Sequence, residues 1–137
     1  MNNRIAILSD IHGDTTALKA VIADARAQSA TEYWLLGDVL LPGPGREDLF
    51  ELLDAIPITA AVRGNWDDCV LEALDGEYGL EDPQEIQLLR LTQYLMEGLD
   101  PKRIDWLRAL PLVEKKEVNG IRFSLTHNLP EKNYGGD

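Results

Sequence analysis

The sequence predicts a layered α/β fold, and three observations carry that prediction. Short apolar runs at Ile5–Ser9, Glu32–Leu36 and Ile58–Val62 each stop abruptly at a polar cluster. Helical patterns separate the runs, which is the βαβ arrangement of a parallel sheet. The period then changes to two over Val113–Val118 and Ile121–Thr126, which flank Asn119-Gly120, a strong two-residue hairpin signal.

The first run feeds directly into Asp10-Ile11-His12-Gly13-Asp14. A buried strand ending this way delivers polar side chains to the carboxyl edge of a sheet, where open α/β folds place their ligands. Asp10 and His12 lie two apart, so an extended backbone points both the same way. A carboxylate and an imidazole converging there suit a first-row divalent metal. Asp14 is placed to cap a helix over Thr15–Gln28, where Leu18, Val21, Ile22 and Ala25 form a stripe for the sheet. The second run ends at Gly37-Asp38, and the proline and glycine content of Leu41–Gly45 marks a loop. A helix follows with Leu49, Phe50, Leu52 and Leu53 apolar. The third run enters Arg63-Gly64-Asn65-Trp66-Asp67-Asp68, with a short helix expected over Asp68–Leu74. Asp82-Pro83-Gln84-Glu85 reads as the start of a helix reaching Met96 or Glu97, and Asp100-Pro101 starts another that ends near Leu110-Pro111. In the hairpin, Ile121, Phe123 and Leu125 share one face, and the second strand runs into His127-Asn128. No repeat, low-complexity segment or linker divides residues 1–137, so a single domain is expected.

With 137 residues, of which 45% are hydrophobic, the chain can bury a real core. A formal charge of −11 argues against a duplex nucleic-acid or anionic membrane surface, since both require basic patches, but suits cation binding. Cys69 is the only cysteine, so no internal disulfide is possible. That fits a reducing compartment. The first apolar run is too short for a signal-peptide core, and nothing approaches a membrane span. The expected location is cytoplasmic.

Four strands therefore finish at Asp10/His12, Asp38, Asn65 and His127, all metal-competent, and both histidines of the chain belong to this set. Any one of them alone is an ordinary cap or loop residue. Their repeated placement at strand ends favours a site.

Asp10-x-His12, Gly37-Asp38, Gly64-Asn65 and His127 resemble, in order and spacing, the calcineurin-like metallophosphoesterases. Leu35–Asp38, Gly64–Asp68 and His127–Asn133 look like a bacterial branch of phosphatases and diadenosine tetraphosphate hydrolases. The resemblance implies an α-β-β-α sandwich and a metal-dependent hydrolase acting on a small phosphorylated substrate. It also implies two divalent ions: Asp10 and His12 on the first, Asn65 and His127 on the second, and Asp38 bridging with one oxygen for each. Two cations roughly 3.5–4 Å apart activate a water and clamp the phosphoryl oxygens during in-line attack. Mixed nitrogen and oxygen ligands allow Mn, Fe, Zn or Ni. Asp38 and Asn65 are then the catalytic candidates, and Arg63 and Trp66 the substrate contacts.

Two departures from the family pattern shape the expected chemistry. Where the family often has a histidine after the asparagine, this chain has Trp66, which offers one N–H donor and no useful proton. General acid help is commonly worth about 10²–10⁴-fold, so its loss favours good leaving groups such as anhydrides and aryl esters. A nucleotide or dinucleoside polyphosphate would also give the Trp66 face a base to stack on. The family's later Gly-His-x-His motif, on a second sheet, is absent too, and there is no third histidine. The sandwich is thus expected to be incomplete at the C-terminus, with one ion at most held tightly. The hairpin edge left unpaired invites self-association. The alternative to an active phosphoesterase is a catalytically impaired or non-catalytic metal-binding or interaction fragment of one. A receiver domain is disfavoured because no acidic pair follows the first strand. A haloacid-dehalogenase-type phosphatase would need Asp-x-Asp where this chain has Asp10-Ile11-His12.

Overall fold

The computed structural model describes residues 3–134. Strands β1 (Ile5–Leu8), β2 (Glu32–Leu35) and β3 (Ile58–Ala61) form a parallel sheet in the order β1-β2-β3, as the intervening helices require. Ile5 lies opposite Glu32, and Leu35 lies between Leu8 and Ala61. Ser9, Leu36 and Val62 close each apolar run just beyond the ladder. The Leu36 and Val62 N–H groups still donate to the Leu8 and Leu35 carbonyls at 2.8 and 2.9 Å.

Helix α1 (Thr15–Ala27) starts where Asp14 accepts the Ala17 N–H at 2.9 Å. Its buried face is narrower than the predicted stripe: Leu18 and Ile22 are covered, while Val21 is 44% exposed. Helices α2 (Glu47–Asp54), α4 (Pro83–Glu97) and α5 (Pro101–Ala109) follow their sequence signals, with Asp82 and Asp100 capping the last two. Helix α3 (Asn65–Leu74) begins three residues before the expected Asp68. The Asp67 carboxylate turns back to accept the Gly64 N–H at 2.8 Å, so the polar run itself forms the first helical turn.

Alternation along β2 divides the interior. Tyr33 and Leu35 face a core to which all five helices contribute, including Leu49, Phe50, Leu95 and Leu107. Trp34 faces the opposite layer with Ala60, Val62 and Leu125. That layer is the hairpin of β4 (Val113–Val118) and β5 (Ile121–Thr126), closed by Asn119 and Gly120 at φ 53° and 79°. Phe123 meets the Trp34 ring edge-on at 5.4 Å. Glu114 accepts the Ala61 N–H and Lys116 donates to the Thr59 carbonyl, both at 3.0 Å. Side chains of β4 thus satisfy the outer edge of β3, which explains why the hairpin stacks on the first sheet rather than extending it. The layers run helix, sheet, hairpin. This is the sandwich expected from the sequence, with the second sheet represented among the described residues by two strands.

Candidate metal centre

The three strands of the first sheet and β5 bring their polar ends to one place. The sequence reading expected an extended backbone at Asp10 and His12, and the structure corrects this. Asp10, His12 and Asp38 have φ values of 58°, 50° and 57°, all left-handed. Such a conformation costs a non-glycine residue about 1–3 kcal/mol and persists only where the surroundings impose it. Here the Asp10 N–H donates to the Gly37 carbonyl at 3.0 Å and the His12 N–H to the Asp38 carbonyl at 2.8 Å. The loops after β1 and β2 thus hold each other in the turned-in shape. Gly64 is required by proximity, since a Cβ there would stand 2.1 Å from Asp38 Oδ1.

Asp38 is the hub. Its Oδ2 lies 3.5 Å from His12 Nε2 and 3.3 Å from His127 Nε2. His12 Nε2 is also 3.3 Å from Asp10 Oδ1, and His127 Nε2 is 2.9 Å from Asn65 Oδ1. The bridging geometry expected from the sequence used one Asp38 oxygen for each ion. The structure instead turns the single atom Oδ2 to both histidines, while Oδ1 accepts the Trp66 N–H at 2.9 Å.

The donor chemistry fits a cation. His12 Nδ1 lies 2.8 Å from the Leu41 carbonyl and His127 Nδ1 lies 2.6 Å from that of Leu36. A carbonyl only accepts, so each Nδ1 donates to it, which fixes the ring and turns Nε2 toward carboxylate or amide oxygens. Nitrogen and oxygen donors converging in this way form a set that fits a divalent ion. Ligand atoms of Asp10, His12 and Asp38 lie within 4.8 Å of one another. Asp10 is fixed further by the Ser9 hydroxyl, which donates to Oδ2 at 2.5 Å and leaves Oδ1 facing the site.

Burial pushes the Asp38 carboxyl above its ordinary range, against the Trp66 N–H and the two imidazoles, which favour its charge. Burial also raises Asp67 to about 6, opposed by the N–H groups that it accepts. Asp67 is the residue that sequence reasoning missed. It is fully buried, yet in the sequence it is one acid among several, and nothing there shows which of them turns inward.

The two expected substrate contacts fall differently. Trp66 is half-buried, packs on the helical core and meets the His12 ring edge-on at 5.8 Å. The Arg63 guanidinium is engaged by Asp68 and by the Leu110 carbonyl, tying the end of β3 to α3 and to the end of α5. A groove of about 370 Å³ runs from Asp10 between β1 and α1, past Ile7, Leu8 and Val21, with Ser9, Asp10 and Asp14 as its polar lining.

The chain is similar to known proteins over most of its length. The family model for calcineurin-like phosphoesterases matches residues 3–135. An uncharacterised protein of Methanocaldococcus jannaschii is 27% identical over 135 residues, covering 96% of this chain and 51% of its own length. A symmetrical bis(5'-nucleosyl)-tetraphosphatase of Serratia proteamaculans is 28% identical over 113 residues, covering 81% of this chain and 38% of its own. Among solved structures, a metallophosphoesterase from Sphaerobacter thermophilus is 29% identical with a TM-score of 0.59, over 82% of this chain and 44% of that one. A hypothetical protein from Pyrococcus horikoshii shares the fold at a TM-score of 0.76 and 20% identity, over 99% of this chain and 59% of that one. The chain thus spans about half, or less, of the length of the curated relatives it matches. On the match of its whole described length, the chain belongs to the calcineurin-like phosphoesterase family.

Proposed function

We propose that this chain forms the metal-binding part of a phosphoesterase that hydrolyses phosphoester or phosphoanhydride bonds. One observation carries the reading: Asp38 Oδ2 faces two imidazole nitrogens whose rings are fixed by backbone carbonyls. Asp10 and His12 would hold one divalent ion and Asn65 and His127 a second, with Asp38 shared. Such ions, when bound, supply Lewis-acid activation of a water and neutralise phosphoryl charge. The protein's part is to hold the donors still: Leu41 and Leu36 orient the rings, Ser9 orients Asp10, and the Trp66 N–H orients Asp38.

Trp66 gives the leaving group no proton, which favours an anhydride or aryl ester. A nucleotide or dinucleoside polyphosphate is the motivated substrate class, with Trp66 as the stacking surface and support from the tetraphosphatase relative. The second reading is an impaired metal-binding fragment. It is favoured by the small charge of the Asn65–His127 pair, which should lose its ion first.

Calorimetric titration of the purified chain with Mn²⁺, together with hydrolysis of an aryl phosphodiester and a dinucleoside tetraphosphate, separates the two. Metal-dependent turnover supports the enzyme. One tight ion without turnover supports the fragment. No metal binding sinks both.

A further inference from the structure

From the bonds of its buried carboxylate, we infer that Asp67 is a positioning residue that fixes the shared ligand Asp38 in the metal centre. The inference rests on the metal-site reading above and goes beyond it, since Asp67 contributes no ligand. Its Oδ2 accepts the N–H of Asp38 and the N–H of Gly64, both at 2.8 Å, and its Oδ1 accepts the N–H of Val39 at 3.1 Å. One side chain with no exposed surface thereby joins the exit of β2 to the exit of β3.

Capping α3 accounts for the Gly64 bond alone. The other two bonds go to the segment that carries Asp38, whose backbone is left-handed at φ 57° and needs external bonds to stay so. The neighbouring residue of the same turn, Trp66, donates its N–H to Asp38 Oδ1. The first turn of α3 thus grips Asp38 twice, at its backbone through Asp67 and at its carboxylate through Trp66. With both held, Oδ2 can point only between His12 and His127. Residues that support a metal ligand in this way typically change metal affinity about 10–100-fold when altered.

The test compares Asp67→Asn and Asp67→Glu with Asp82→Ala, which removes the side-chain cap of α4 away from the site. Mn²⁺ affinity is read by calorimetry and folding by thermal melting. In Asp67→Asn, the amide nitrogen faces an N–H donor where the carboxylate accepted. In Asp67→Glu, the carboxylate is kept but displaced. We expect Mn²⁺ affinity to fall about 10–100-fold in Asp67→Asn and by less in Asp67→Glu, with Asp82→Ala binding as the wild type. If either Asp67 variant folds and binds Mn²⁺ as tightly as wild type, Asp67 is a helix cap and the inference is overturned. If neither folds, Asp67 serves the fold as a whole, which also overturns it. A wild-type chain that binds no Mn²⁺ fails the site reading itself, a result distinct from tight binding that ignores Asp67.

Discussion

At Asp38, burial and the neighbouring imidazoles act in opposite directions: burial favours the neutral acid, and the site needs the anion. Asp38→Asn removes the shared charge while keeping the shape. Metal-dependent hydrolysis should fall more than the roughly 10–100-fold typical of a supporting partner, and the metal-free fold should change by about 1 kcal/mol or less. Steady-state rates and urea unfolding on one preparation check both. Asp67 offers a pH signature. Its folded value of about 6 lies above its ordinary 3.8, so between the two the folded state holds a proton that the unfolded chain has lost. Its contribution to metal-free stability is therefore full below about pH 4 and lost as the pH rises to about 6, by at most about 3 kcal/mol. Urea unfolding of wild type and Asp67→Asn in chelator should differ by a term that changes over that window and is flat above it. Trp66→Ala should raise the KM for a dinucleoside tetraphosphate by an amount matching about 1–3 kcal/mol of stacking. An unchanged KM would place the base elsewhere.

At the scale of elements, α5 is joined to α2 by one side chain. Arg103 donates to Glu47 at 2.7 and 3.0 Å and to Asp54 at 2.7 and 3.0 Å, and its guanidinium lies 5.0 Å over the Phe50 ring. Exposed ion pairs contribute little, but this guanidinium is largely covered and forked onto two acids. Arg103→Ala should cost about 1–3 kcal/mol in urea unfolding, because it removes the charge-assisted bonds to both acids and the cover over the Phe50 ring. Arg103 holds both acids below their usual range. Wild-type stability from this link is thus present above ordinary carboxylate pKa values and is lost as the pH falls through the lowered ones. In Arg103→Ala that acid-side loss should disappear. The hairpin shows the same reliance on side chains, since Glu114 and Lys116 close the β3 edge that no strand covers among the described residues.

At the scale of the whole molecule, the hairpin is the layer most open to association. Among the described residues β5 pairs with β4 alone, and Ile121 is 61% exposed at the hairpin end. An open, partly apolar edge favours association with another strand, while a formal charge of −11 opposes it. Self-association through this edge should therefore grow with salt, and Ile121→Lys should weaken it, as read by sedimentation velocity across ionic strengths. A monomer at all salt concentrations would show that charge repulsion outweighs the open edge.

The sequence by itself determined the strands, the helix starts at Thr15, Pro83 and Pro101, and the strand ends at which polar side chains collect. These depend on local patterns: apolar runs that stop at acids, Asp-Pro helix starts, and an Asn-Gly hairpin. His127 shows the reach of that local logic, because it could be assigned to the site from its position at the end of the last strand. Tertiary structure alone decided how the ligands face one another. The left-handed turns at Asp10, His12 and Asp38 are imposed by bonds between loops distant in sequence, and no local pattern favours them. The sharing of one Asp38 oxygen, the diversion of Arg63 to Asp68 and the inward turn of Asp67 have the same origin. Each is fixed by which N–H or carbonyl comes within about 3 Å once the strands have stacked, and only the packed sheet sets that distance.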